Sequence, residues 1–267
     1  MTGDVPEPMN PVLPASGVEI ATYRPCIIIP FYRHERAIAS VIERLKPFGL
    51  PCRIIDDGSG EQSRDALRDI ERREGSWVRV GGYAQNRGKG EAVMTGCAQA
   101  LAEGFTHAVQ IDADGQHEAA DLPRLLERSR ANPLALVTGI PVYDDSIPRV
   151  RFYGRYLTHF WVWVETLSLE IRDSMCGFRV YPLDSALALW NEGSVGRRMD
   201  FDTGIMVRLF WRGVRVLSVP TRVTYPADGV SHFRMLRDNL RMIALHLRLL
   251  GGMCLRLPWL LYRHLAR

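Results

Sequence analysis

The chain has 267 residues, 46% hydrophobic and 24% charged, with a formal net charge of +4. That balance fits one large globular domain, or a domain with an appendage, and excludes wholesale disorder. No stretch approaches roughly 18 uninterrupted apolar residues, and residues 1–23 hold no basic residue and no apolar h-region, so neither a polytopic membrane protein nor a secretory signal is expected.

Residues 1–23 carry Pro6, Pro8, Pro11 and Pro14 without apolar periodicity, which predicts a disordered or loosely docked arm. From Arg24 onward strands and helices alternate. Cys26 to Ile29 is a short apolar run stopped by Pro30, the mark of a strand buried on both faces. Ala37, Ile38, Val41, Ile42 and Leu45 then fall at helical spacing. Arg53 to Ile55 is a second strand, followed by a polar helix through Glu71. Trp77 to Val80 reads as a strand, Gly90 to Leu101 as a helix, and Ala108 to Ile111 as a strand. Leu122 to Arg130 reads as a helix and Ala135 to Thr138 as a strand. An aromatic helix is predicted from Phe152 to Ile171, and then a loop from Asp173 leads into a strand by Tyr181. A helix from Phe201 to Trp211 and a strand from Val214 to Val219 follow. Residues 231–250 predict a long amphipathic helix, with 253–265 continuing in that style past Pro258. The pattern implies an α/β fold with a mostly parallel sheet covered on both faces and C-terminal amphipathic helices. Ligands bind beyond the carboxyl ends of such strands. The divisions expected are the arm at 1–23, a domain at 24–231 and a tail at 232–267.

Three strand ends carry candidate chemistry. Asp112-Ala113-Asp114-Gly115-Gln116-His117 places two carboxylates one residue apart where the backbone turns. Hard divalent cations favour such oxygen ligands, and Mg²⁺ shares substrate phosphates. The bland alternative is a solvated acidic turn. Asp56-Asp57-Gly58-Ser59 offers a carboxylate to a nucleobase N–H, or is only an Asp-Gly turn. Pro30-Phe31-Tyr32-Arg33-His34 places an aromatic ring where a base or ribose would pack, or simply in the core. Asp200 and Asp202, ahead of a helix, are candidates for a base or for a helix cap.

Taken with Asn86-Arg87-Gly88-Lys89-Gly90, these motifs resemble glycosyltransferase family 2 with its GT-A, Rossmann-like fold. The flavour is that of dolichyl-phosphate mannosyltransferase and other polyprenyl-phosphate glycosyltransferases. Met175-Cys176-Gly177-Phe178-Arg179-Val180-Tyr181, Asp200-Phe201-Asp202 and Gly229-Val230-Ser231-His232-Phe233 resemble later segments of that subgroup. His34 stands where the subgroup often has Glu, and Ser231-His232 where it often has Ser-Lys. The resemblance covers about residues 24–235. It implies that Pro30, Tyr32 and Asp56, with Asp57, hold the nucleoside, with His34, Arg87, Lys89 and Asp112 also at the donor. It implies that Asp112, Asp114 and Gln116 hold Mg²⁺ or Mn²⁺. Arg179, His232 and Arg234 would face the acceptor or its phosphate, and Asp114, Asp200, Asp202 and Arg179 would be catalytic. The activity implied is metal-dependent, inverting transfer from a nucleotide-diphosphate sugar to a lipid or lipid-linked acceptor. Two other readings are a nucleotidyltransferase, which typically opens with a glycine-rich loop where this chain has Pro30-Phe31-Tyr32, and a non-catalytic scaffold.

The tail sharpens the setting. Residues 232–267 hold seven arginines and one acid, a net +6, which leaves −2 for residues 1–231. Phe233, Leu236, Leu240, Ile243, Leu247 and Leu250 form a helical stripe, with Arg234, Arg237, Arg241 and Arg248 on another side. Such a helix lies in an anionic membrane surface, packs on the body with its arginines solvated, or binds nucleic-acid phosphates. No stacking motif supports the last. The five scattered cysteines, Cys26, Cys52, Cys97, Cys176 and Cys254, form no CxxC and fit a reducing compartment. The placement expected is the inner face of the cytoplasmic membrane, as a peripheral protein.

Overall fold

A computed structural model describes residues 22–143, 149–224 and 235–265. Residues 1–21 of the expected arm lie outside the described residues, as does the Gly229–Phe233 motif with His232 and Arg234.

In chain order the first half comprises β1 (Pro25–Phe31), α1 (Glu35–Leu45), β2 (Cys52–Asp57), α2 (Glu61–Glu74), β3 (Val78–Tyr83), α3 (Lys89–Ala102), β4 (His107–Gln110), α4 (Leu122–Arg130) and β5 (Leu136–Tyr143). The second half comprises α5 (Arg149–Thr166), β6 (Arg179–Pro182), α6 (Leu183–Asn191), α7 (Phe201–Trp211), β7 (Val216–Val223) and α8 (Met235–Leu265). The seven strands form one sheet, ordered β3-β2-β1-β4-β6-β5-β7.

The continuous apolar runs of β1, β2 and β4 follow from coverage of both sheet faces. Ile27 and Ile29 enter one core with Ile38 and Ile42 of α1, whereas Cys26 and Ile28 enter the other with Val93 and Cys97 of α3. Each fully buried aliphatic side chain contributes about 1.5–3 kcal/mol. Pairing is parallel from β3 to β4 and between β5 and β7, but β6 runs antiparallel to both β4 and β5. That reversed strand sets Arg179 opposite Gln110 on one side and Thr138 on the other.

The predicted elements recur with three physical departures. Helix α6 was not foreseen: it begins directly after β6, without a turn signal, and buries Leu183, Ala186, Leu187 and Leu189. Helix α5 stops at Thr166 rather than Ile171, because Leu167 turns into the left-handed region at φ 49°. The two expected C-terminal helices are one, running through Gly251, Gly252 and Pro258. Gly252 permits this course beside α7, since a Cβ there would stand 2.9 Å from the Trp211 ring.

Helix α8 has two apolar faces. Leu245, Leu249, Met253 and Leu260 are buried in the core shared with α3, α6 and α7. Of the stripe anticipated from the sequence, Leu236, Leu240, Ile243 and Leu247 are exposed, whereas Leu250 packs against that core. No uninterrupted apolar run of about 18 residues occurs, yet that criterion passes over one helix. Leu236–Arg263 is long and apolar enough by length and composition, at a mean hydropathy of 1.2, because interspersed arginines interrupt the run without cancelling it. Docking of one side on the core makes it a packed helix with an unpartnered outer face.

Candidate active site

A cleft of about 1230 Å³ opens beyond the carboxyl ends of β1, β2 and β4. Pro30, Tyr32, His34, Asp57, Lys89, Asp112, Asp114 and Gln116 line it, so most of the predicted site residues are brought together. Residues of α5 and α8, among them Leu157, Trp161, Met242, Ile243, Leu247 and Leu250, continue the same cleft.

The acidic turn is built from β4 outward. The buried strand delivers Asp112 to the cleft, and Asp114 Oδ1 accepts the Gln116 backbone N–H at 3.0 Å, which closes the turn. Gly177 of the Gly-Phe-Arg segment is packed on the Asp112 carboxylate, where a Cβ would collide with it. Among the described residues no group of three or more His, Cys, Asp or Glu side chains converges on a metal position. The protein's donor set at this turn is all oxygen: Asp112, Asp114 and the Gln116 amide. A hard cation taking roughly six oxygen ligands would draw the remainder from a diphosphate and water, so these residues suit Mg²⁺ or Mn²⁺ shared with a substrate.

Lys89, the first residue of α3, ties the turn to the second half of the chain. Its Nζ donates to Asp112 Oδ2 at 3.0 Å and to Asp202 Oδ2 at 2.7 Å. Burial alone would lower the ammonium's pKa, but the Asp112 and Asp202 carboxylates outweigh it and raise it well above the usual lysine value. Burial likewise opposes ionisation of Asp112, and Lys89 and then His117 hold its carboxyl far below the usual range. Gln110 completes the network. Its Nε2 donates to Asp202 Oδ1 at 3.3 Å and to Asp112 Oδ1 at 3.4 Å, while its Oε1 accepts from the Tyr181 hydroxyl at 3.1 Å. His117 lies below the turn, with Nε2 3.9 Å from Asp112 Oδ2 and its ring against Phe178.

Several predicted residues have other duties. Arg179 does not reach the cleft, contrary to expectation. It is fully buried, and its three nitrogens donate to the carbonyls of Cys176 at 2.7 Å, Asp202 at 2.5 Å and Ser174 at 2.6 Å. It braces the loop after α5 against the start of α7. Asp56 does not line the cleft either; it is buried and accepts the Ser59 N–H at 3.0 Å. Arg87 stacks over Tyr83 at 4.4 Å instead of entering the cleft. Asp200 is buried outside the cleft lining, accepts the Arg198 N–H at 3.3 Å and lies 3.6 Å from Arg248. Neither Asp200 nor Asp202 caps α7 through its side chain: Asp200 makes no side-chain cap bond, and Asp202 is committed to Lys89 and Gln110.

Other contributors gave little sign in the sequence. Arg155 of α5 lines the cleft, held by Asp173 through bonds of 2.8 and 3.0 Å. Arg198 lines it beside Asn86, which the Asn86–Gly90 motif contained but did not explain. Nothing in the linear sequence joins residue 198 to residue 86, because that contact is made only by folding.

Known proteins resemble this chain in sequence and in fold. The profile described as "Glycosyl transferase family 2" matches residues 26–182. A dolichyl-phosphate beta-glucosyltransferase of Dictyostelium discoideum is 28% identical over 200 residues, covering 67% of this chain and 60% of that protein. An undecaprenyl-phosphate mannosyltransferase of Micrococcus luteus is 26% identical over 202 residues, covering 72% of this chain and 80% of its own. Among solved structures, glucosyl-3-phosphoglycerate synthase from Mycobacterium tuberculosis, in complex with Mn²⁺ and UDP-glucose, superimposes with a TM-score of 0.64 at 18% identity. It covers 86% of this chain and 80% of its own.

Proposed function

The chain belongs to glycosyl transferase family 2 and has the GT-A fold, and from that premise we propose that it moves one sugar from a nucleotide-diphosphate sugar to a polyprenyl-type lipid phosphate at an anionic membrane surface. One observation carries the reading. A single cleft joins the Asp112–Asp114 turn to the exposed apolar sides of α5 and α8. A polar donor and an apolar acceptor therefore have adjoining places in one cavity.

Each part of the cleft has a task. Pro30, Tyr32 and His34 receive the nucleoside at the end of β1. Asp112, Asp114 and Gln116 would hold Mg²⁺ or Mn²⁺ at the donor. When bound, the ion supplies Lewis-acid neutralisation of the charge that develops on the departing nucleoside diphosphate. Lys89 keeps Asp112 ionised for that task. The acceptor attacks from the face opposite the leaving group, with inversion. Asp202 is ion-paired with Lys89 and hydrogen-bonded to Gln110, which favours a role in orienting the turn over one as a base. A phosphate acceptor is already anionic and needs no base. The relatives named for dolichyl and undecaprenyl phosphate point the same way.

The membrane reading rests on α5 and α8. Tyr156, Leu157 and Phe160 of α5 are exposed, as are Leu236, Leu240, Ile243 and Leu247 of α8. Arg237, Arg248 and Arg256 are exposed along α8. An apolar stripe flanked by arginines suits the headgroup region of an anionic bilayer, where each basic residue contributes about 1 kcal/mol.

The test is transfer from labelled UDP- and GDP-sugars, with Mn²⁺, to a polyprenyl phosphate. The matching polyprenol and 3-phosphoglycerate serve as competing acceptors. Product on the lipid phosphate is expected, and Asp114→Asn should lower its rate about a hundredfold or more, since several kcal/mol of charge stabilisation are lost. Transfer to 3-phosphoglycerate alone, or full activity in Asp114→Asn, would overturn the proposal.

A further inference from the structure

The Asn86-Arg87-Gly88-Lys89-Gly90 loop invites comparison with phosphate-cradling loops, since it is basic, glycine-rich and opens a helix. Several of its backbone donors already have acceptors within the protein. Asp57 Oδ1 accepts the Arg87 N–H at 2.6 Å and the Gly88 N–H at 3.0 Å. The Arg197 carbonyl accepts the Gly90 N–H at 2.9 Å and the Glu91 N–H at 3.4 Å. Two N–H groups in the first turn of α3 are therefore met by the Arg197 carbonyl, and its lysine is divided between Asp112 and Asp202.

The glycines serve the chain segment that does the capping. A Cβ on Gly88, whose φ of +113° also disfavours other residues, would stand 2.6 Å from Arg198 Cγ. A Cβ on Gly90 would stand 2.6 Å from the Phe201 ring. The motif is shaped so that residues 196–201 can lie directly on it.

That contact carries Arg198 into the cleft. Its Nη1 donates to Asn86 Oδ1 and its Nη2 to the Asn86 carbonyl at 3.3 Å. Asn86 is itself fixed by Nδ2 donation to Asp57 Oδ2 at 2.8 Å. Both acceptors on Asn86 are neutral, so the guanidinium is oriented without being neutralised. Of the other cleft cations, Lys89, Arg155 and Arg241 pair with Asp112, Asp173 and Asp238, and Arg237 stands exposed on α8. Among the described residues no carboxylate lies within ion-pair distance of the Arg198 guanidinium, and its charge reaches Asp57 only as a longer-range field.

We propose that Arg198 grips the diphosphate of the nucleotide-sugar donor, and that Asp57 and Asn86 are positioning residues that aim it. The inference rests on the donor reading above and adds the residue that binds the phosphates. A planar guanidinium held along one edge presents its remaining N–H groups to anionic oxygens, geometry that lysine does not reproduce.

Isothermal titration with UDP, GDP and UMP, each with Mn²⁺, tests this on the 267-residue chain. Arg198→Ala should weaken the preferred nucleoside diphosphate about ten- to hundredfold, as expected for losing charge-assisted hydrogen bonds, with a smaller loss for the monophosphate. Arg198→Lys should fall between. Asn86→Ala should reduce diphosphate affinity in the wild-type background and add little in the Arg198→Ala background, a coupling that a purely structural asparagine would not produce. Equal losses for UDP and UMP, or unchanged diphosphate affinity in a folded Arg198→Ala protein, would overturn the assignment while leaving the donor reading intact. A wild-type protein that binds neither diphosphate with Mn²⁺ would overturn the donor reading, and this inference with it.

Discussion

Replacing Lys89 by Met tests the centre of the site through stability alone. The substitution keeps most of the aliphatic volume and removes one charge from between two carboxylates. Asp112 and Asp202 then face each other with only the Gln110 amide between them. Breaking a buried ion pair costs about 3–5 kcal/mol. The side chains here retain 20% exposure for Lys89, 23% for Asp112 and 10% for Asp202, so the low end, about 3 kcal/mol, applies. At about 2–4 °C per kcal/mol for a domain of this size, Tm should fall by about 6–12 °C at pH 7. The pH dependence follows from the directions of the shifts. Asp112 is depressed, so its contribution is present above the ordinary carboxylate value of about 4 and is lost as pH falls through the lower folded value. Lys89 is raised, so its contribution is present below about 10.4 and is lost only as pH rises through a still higher folded value. The gap between wild type and Lys89→Met should be flat from about pH 5 to about pH 9 and narrow below about pH 4. Urea unfolding across that range measures it. A gap below about 1 kcal/mol at pH 7, in the range of an exposed surface pair, would refute the reasoning. So would a gap that persists undiminished in acid.

Three further outcomes are expected. Gly90→Ala should cost about 1–3 kcal/mol by overpacking against Phe201, and wild-type stability in urea would show that the two segments are not in contact. Asp173→Asn should cost about 3 kcal/mol by leaving Arg155 and His159 without their carboxylate. Burial works against that carboxylate, yet Arg155 and His159 hold its pKa well below the usual range, so the loss should shrink as pH falls below about 4. The triple change Leu236→Glu, Leu240→Glu and Leu255→Glu alters side chains exposed by 78%, 57% and 84%. It should leave Tm nearly unchanged and weaken binding to phosphatidylglycerol vesicles at least about tenfold; unchanged co-sedimentation would remove the membrane surface from the account. Point substitutions are the right probe here, because truncation at residue 251 would also take Met253 and Leu260 out of the core.

The fold was legible where burial is simple. β1 and β2 are covered on both faces, so their apolar runs announced them. α7 was placed at Phe201–Trp211 because its apolar residues are nearly continuous and two acids stand at its start. α6 escaped notice because it follows β6 without punctuation. The orientation of helix α8 stayed open, since it carries two apolar stripes and periodicity alone does not say which one docks.

Local sequence determined the acidic turn of Asp112 and Asp114, because a buried strand ending in two carboxylates constrains its own neighbourhood. It also determined the α/β alternation, because apolar periodicity is a short-range property. Tertiary structure alone decided how charge is distributed in the cleft. Arg179 and Arg198 are chemically alike in the chain, but the first is spent on three main-chain carbonyls while the second is aimed into the cavity by Asn86. The difference arises from residues more than a hundred positions apart meeting across the α3 N-terminus. An ion's role depends on which partners surround it, and those partners are assembled only when the chain closes on itself.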